Sequence, residues 1–247
     1  MAKIRMSAGE KKKQLILDVS KKLFYEQGYS ATTYEDICRE ADIPAGSVAY
    51  HFKSKRNLAA VIQEEFSRQN KTYMEALVGN AYSTTMLMAL EILNMWKKYF
   101  EDDHLRRFVI EINVDHDIAN YCFDYIRHLY QIVADEQDVD IESNTLDFVT
   151  VTQIGMTGEL LIRCETNPGL YTYEEVGAYS IRVFCQLLGL RRDHIQAIID
   201  NVLRIYPTLP IDNRYFANFE YDPKYIAPFD ASKCEQENRA ATIRPQQ

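Results

Sequence analysis

Thr33-Tyr34-Glu35-Asp36-Ile37-Cys38-Arg39-Glu40, then Ala41-Asp42-Ile43-Pro44, then Ala45-Gly46-Ser47-Val48-Ala49-Tyr50-His51 is the stretch on which the fold turns. Thr33 with an acidic residue three positions later, Asp36, is the pattern of a capping box, which satisfies two free backbone N–H groups and opens a helix. That helix is short. Asp42-Ile43-Pro44 breaks it, and Pro44 suits the first position of a new helix over 45–51. Two short helices joined by a tight turn form a helix-turn-helix, whose second helix enters the DNA major groove. Small residues at that helix's start let backbone approach DNA, and Ala45, Gly46 and Ser47 supply them. Thr33, Tyr34, Tyr50, His51, Lys53 and Lys55 offer donors to phosphate. A plain αα-hairpin without a DNA role is the competing reading of the same residues.

Working outward, Leu15, Ile16, Val19, Leu23 and Phe24 recur at helical spacing with lysines on the opposite face, and Gly28 stops that helix. Downstream, Ser54 caps a long helix with Leu58, Val61, Ile62 and Phe66 on one side. Apolar stripes then predict helices over 84–100, 104–113, 118–135, 143–165, 173–188 and 191–205, with Asn167-Pro168-Gly169 as a firm stop. No stretch sustains strand alternation, so the expected class is all-α. Five of the seven prolines follow Tyr206, where helices end. Tyr215, Phe216, Phe219, Tyr221, Tyr225 and Phe229 make 207–230 too aromatic for a free linker, so an arm packed on the body is expected there, with 231–247 loosely ordered.

Residues 10–66 resemble the N-terminal domain of TetR-family transcriptional regulators. The resemblance rests on Ile16-Leu17-Asp18-Val19, Leu23 to Tyr29, Thr32 to Ile37, Ala41-Asp42-Ile43 and Gly46 to Leu58. It implies that Thr33 meets phosphate at a helix N-terminus with Tyr34 beside it. It also implies that Ala45, Gly46 and Ser47 face bases or approach DNA through backbone, that Tyr50 and His51 touch DNA, and that Lys55 meets phosphate. Two positions depart from the family pattern. Ala49 stands where the family most often has a phosphate-binding Tyr, and Asp42 replaces the usual turn Gly, a place Asp tolerates at some cost.

Charge is unevenly shared. Residues 1–56 carry 11 Lys/Arg against 7 Asp/Glu, a net +4, whereas the remainder of the chain is at −12. A basic head on an acidic body points to a polyanion at the head only. No apolar run approaches the roughly 18 residues of a membrane span. Five cysteines without a C-x-x-C pair suit a reduced, cytoplasmic protein. No nucleophile elbow, Walker loop or dinucleotide-binding glycine motif occurs, so no enzyme activity and no cofactor are expected. Asp115-His116-Asp117 with His104 fits no standard metal spacing.

Trp96, Tyr99, Phe108, His116, Tyr121 and Tyr125 are the candidate walls of an effector pocket, for which plain core is the competing reading. The resemblance implies such a pocket. The acidic body favours an apolar or cationic ligand over a polyanion. Segments 143–165 and 173–188 carry more apolar surface than one bundle face needs, and the family pairs two such helices into a homodimer. The expected organisation is therefore a DNA-binding domain over 1–54, an effector-binding and dimerisation domain over 55–206, and an arm and tail over 207–247. The expected function is a dimeric repressor that leaves a near-palindromic double-stranded operator when a small molecule binds. An activator or protein-controlled regulator, and a helical binding protein without DNA function, are the alternatives.

Overall fold

The computed structural model describes residues 7–79, 81–212 and 216–221, without the side chains of His116, Ala119 and Asn120. Tyr215, Tyr225, Phe229 and the 231–247 tail lie outside the described residues. Those described form an all-α protein of eleven α-helices, with a single isolated bridge in place of any strand.

The first three helices make the head. α1 (Ala8–Glu26) starts at a Ser7–Glu10 capping box and buries Ile16, Leu17, Leu23 and Phe24. α2 (Tyr34–Glu40) opens as expected: Thr33 Oγ1 accepts from the Asp36 N–H, and Asp36 accepts from the Thr33 N–H. Asp42 takes the left-handed conformation expected of it, with φ of 50°. α3 (Ser47–Phe52) begins two residues later than the sequence suggests. Pro44 and Ala45 form a turn closed by the Ser47 N–H on the Pro44 carbonyl, and Gly46 is the cap. Ile37, Val48, Phe52 and Leu58 close the small core between these helices and α4.

α4 (Lys55–Val78) is capped by Ser54 as expected and runs from the head into the body. With 24 residues it spans roughly 36 Å. The body continues with α5 (Thr84–Glu101), α6 (Asp103–Asn113), α7 (His116–Tyr121), α8 (Phe123–Glu136), α9 (Ser143–Thr166), α10 (Tyr173–Leu187) and α11 (Arg192–Ile205). The single helix expected over 118–135 is two helices broken at Cys122. α5 lies at the centre, packed against α4, α10 and α11.

Beyond a 3-10 turn at Tyr206–Thr208, residues 216–221 return to the seam between head and body. Ala217 and Glu220 exchange backbone hydrogen bonds across Asn218 and Phe219, both at positive φ, as in a tight hairpin turn. The turn drives Phe219 against Phe108, with ring centroids 4.4 Å apart. Tyr221 is buried over Tyr73, and its hydroxyl joins Asn70 and Asn94, which also binds the Tyr206 hydroxyl. Glu220 completes an ion pair with Lys21 of α1 at 2.8 Å, and Glu65 of α4 holds the same ammonium at 2.7 Å. Burial works against that ammonium, but the two carboxylates outweigh it and hold Lys21 above the usual lysine range.

Candidate functional site

Two sites emerge, one on the outside of the head and one inside the body. On the head, α3 presents Ser47, Tyr50 and His51 beside Gly46. They form a shallow groove with Ala8, Gly9 and Lys12 of the α1 N-terminus. Tyr50 is 84% exposed and meets only the edge of His51 at the ring level. Ala45 and Lys53 are exposed nearby, and Lys53 ends α3 at positive φ. Gly46 sits at φ −74°, and a Cβ there would meet nothing within 4 Å, so the fold itself gives no reason for glycine. Partial burial, then the neighbouring Lys12 and Lys13, keep the His51 imidazole below its usual range. Lys12 escaped the sequence reading, although the 11–13 lysine run was its signal.

The remaining head residues have work inside the protein. Thr33 shares its hydroxyl with Asp36 in the cap. The Tyr34 hydroxyl accepts from the Lys55 backbone N–H at 2.6 Å, pinning the start of α2 to the start of α4. Lys55, expected to reach phosphate, donates from Nζ to the Tyr29 and Thr32 carbonyls at 2.9 Å each and lies over the Tyr29 ring. Two of its three donors are thus spent on the loop between α1 and α2. Burial lowers its ammonium, with Glu111 opposing.

Below this loop, α6 supports the head directly. Arg107 donates to the Tyr25 carbonyl at 2.7 Å, and Glu111 accepts from the Ser30 N–H at 3.0 Å. Gly28, at φ 101°, lets them in: a Cβ there would fall 3.0 Å from Glu111 Oε1 and 3.2 Å from Arg107 Nε. Arg56 of α4 binds Asp115 and Asp117, so the carboxylates of the 115–117 cluster serve an ion pair. Among the described residues no group of His, Cys, Asp and Glu has the geometry to hold a metal.

In the body, a cavity of about 180 Å³ opens between α4, α5, α8, α9 and α10. Trp96, Tyr99 and Tyr125 line it, as the sequence suggested, together with Tyr130. The Trp96 indole N–H donates to Ser180 Oγ at 2.9 Å, and the Tyr99 ring meets Trp96 edge-on. Phe108 and Tyr121 are not brought there. Phe108 is core, stacked on Phe24 with Phe219 on its other side, because the 216–221 turn fills the space beside it. Tyr121, the last residue of α7, does not line the cavity. The His116 side chain lies outside the described residues. Glu91 and Gln153, which the sequence reading missed, both line the wall.

On α9 and α10, Phe148, Val151, Tyr179 and Leu187 are exposed, up to 70% at Phe148. Glu159 and Arg163, four residues apart on α9, form no ion pair among the described residues; Arg163 Nε reaches the Tyr171 hydroxyl at 3.4 Å instead. No described helix is long and apolar enough to cross a membrane.

Residues 16–62 match the family model described as bacterial regulatory proteins, tetR family. Over 125 residues the chain is 23% identical to YvkB, an HTH-type transcriptional regulator of Bacillus subtilis strain 168, covering 49% of this chain and 62% of YvkB. It is 30% identical over 115 residues to the HTH-type transcriptional repressor KstR2 of Rhodococcus jostii strain RHA1, covering 46% of this chain and 55% of KstR2. The chain thus matches less than two thirds of the length of either relative. In fold it is similar to RolR in complex with resorcinol, at a TM-score of 0.58 and 14% identity, over 77% of this chain and 94% of that one.

Proposed function

We propose, starting from a chain that belongs to the TetR family of helix-turn-helix transcriptional regulators, that it is a homodimeric repressor released from a near-palindromic operator by a small molecule. In this reading residues 1–54 bind DNA, and 55–206 bind the effector and dimerise. Ser47, Tyr50, His51 and Lys53, with Ala45 and Gly46, meet the major groove and its phosphates; Lys12 joins them from α1. Thr33, Tyr34 and Lys55 contribute by holding the shape of the head and by whatever donors remain to them at its surface.

The observation that carries the reading is α4. Its first turn supplies Lys55 and Arg56 to the seams beneath the head, and its middle supplies Ser67 and Asn70 to the cavity wall. One helix therefore feels both sites. An effector that fits the cavity better when α4 is displaced shifts the population toward heads whose spacing mismatches the operator. Two recognition helices in a dimer sit about 34 Å apart on DNA. The exposed apolar side chains of α9 and α10 supply the dimer surface, because a monomer gains nothing by exposing them in a row. The repressor named KstR2 and the resorcinol complex of RolR fit this picture.

The test begins with selection of bound sequences from random duplexes and footprinting of the winner. Two symmetric half-sites are expected, with a mass of two chains in solution that Tyr179→Glu halves. A single asymmetric half-site, or a monomer that binds DNA as tightly as the intact protein, would overturn the reading.

A further inference from the structure

The cavity has an uneven chemistry. Of its fifteen lining residues, Glu91 is the one carboxylic acid, and no Lys, Arg or His lines the space. The cations nearby are committed elsewhere. Arg68 is bound to Glu64 at 2.9 Å and lies over the Tyr125 ring, and Lys71 is 2.8 Å from Glu75. Lys71 approaches Glu91 only to 3.9 Å. Burial first, with Glu75 adding and Lys71 opposing, pushes the Glu91 carboxyl up to about 8. The cavity thus holds a carboxyl whose ion pair, to Lys71, is a long one, and an acid so weakly paired is costly to bury. Across the space, Gln153 is buried and its amide nitrogen has no hydrogen-bond partner. Ser67, Asn70, Thr157 and Ser180 are the other polar residues of the wall; the remainder is aromatic and aliphatic, with Trp96, Tyr99, Tyr125 and Tyr130 in front.

We infer that the cavity binds a small organic amine in its protonated form, with the ammonium on the Glu91 carboxylate, the apolar body among Trp96 and the tyrosines, and an oxygen acceptor on Gln153. This rests on the reading of the cavity as the effector site and specifies what fills it. Three features converge. A cation answers the carboxyl and is further favoured by the aromatic rings around it. A hydrogen-bond acceptor satisfies the orphaned amide. The volume, about 180 Å³, exceeds the roughly 150 Å³ that takes up benzene in an engineered apolar cavity, leaving room for one ring and a short tail. An anionic ligand would meet Glu91 with no cation in the wall to receive it.

Trp96 is the sole tryptophan of the chain, so its emission reports on this cavity alone. The full-length protein is titrated with three probes of matched shape: tyramine, the neutral 4-(2-hydroxyethyl)phenol and the anion 3-(4-hydroxyphenyl)propanoate. Emission and melting temperature are followed together. Tyramine is expected to bind about tenfold or more tighter than the neutral probe, with the anion weakest. Glu91→Gln is expected to bring tyramine to within about twofold of the neutral probe. Equal binding of amine and neutral probe by the wild-type protein, preference for the anion, or no response to any probe each overturns the inference. Discrimination that survives in Glu91→Gln also overturns it. Should that variant not fold, the wild-type ranking decides alone. Release of footprinted DNA is read separately: an amine that binds selectively but leaves DNA bound upholds the inference and sinks the effector reading.

Discussion

The two sides of the head use the same residue types to opposite ends. On the inner side, Lys21, Lys55, Arg107 and Glu111 are held by named partners, and Gly28 is needed because a side chain would strike two of them. On the outer side, Gly46 borders open space and Tyr50 stands in solvent. Lys21 and Lys22 make the contrast within two residues of α1. The first is buried between two carboxylates, and the second forms an exposed pair with Glu40. Residue identity and charge therefore do not mark a binding surface. What marks it is a side chain, or a missing side chain, for which the fold has no use.

The sharpest way to break this comparison is Lys21→Met. It leaves Glu65 buried without its cation, and a loss of about 3–5 kcal/mol in urea-induced unfolding is expected. Lys22→Met should leave the unfolding midpoint where it is, since an exposed pair contributes little. Equal losses from both would erase the distinction. Next in size is Gly28→Ala, expected to cost at least about 1–2 kcal/mol from the positive φ alone, before the crowding against Glu111 and Arg107. Calorimetry of the purified variant checks it.

Gly46→Ala sharpens the comparison from the other side. Stability should stay within about 0.5 kcal/mol, because the position is exposed and its φ ordinary. DNA affinity in a gel-shift titration should fall about tenfold or more, as expected for a change at a reading surface. A stability loss like that at Gly28, with DNA binding intact, would assign Gly46 to folding after all.

The smallest effect concerns acid. Hydrogen bonds from Thr33, then the pairing with Arg39, pull the Asp36 carboxyl from its ordinary 3.8 down to about 2. A lowered value means that the carboxylate stabilises the fold above pH 3.8 and that this contribution fades as pH falls toward 2. Asp36→Asn should therefore narrow its stability deficit to the wild type across that interval, as followed by circular dichroism. A deficit unchanged with pH would show that the cap does not depend on the charge.

Legibility in the sequence followed the range of the interaction. The caps at Thr33 and Ser54 could be read because each depends on a few adjacent residues, and the left-handed Asp42 followed from the resemblance, in which it replaces a turn Gly. The break at Cys122 could not, since no Gly or Pro marks it and the apolar stripe runs on in phase across it. In the cavity, three of the clustered aromatics were legible, yet Phe108 belongs to the core because Phe219, over a hundred positions later, arrives beside it. Nothing in the spacing of α5 sets Glu91 apart from a surface acid. Only the helices packed over it make it an interior group. Lys55 likewise turned inward because the Tyr29 and Thr32 carbonyls happen to lie within its reach.

The Glu220–Lys21 pair joins residues 199 positions apart, and that distance has a meaning in time as well as space. Synthesis delivers the chain from its N-terminus, and segments fold as they emerge. The head can gather its three helices early, but Lys21 on the underside of α1 keeps only one of its two carboxylate partners until residue 220 has emerged. Long-range closure of this kind is slow, because a large loop must be brought together before any contact rewards it. The contacts of Arg107, Glu111 and Arg56 can seat the head first, and the Glu220 carboxylate closes over Lys21 only afterwards.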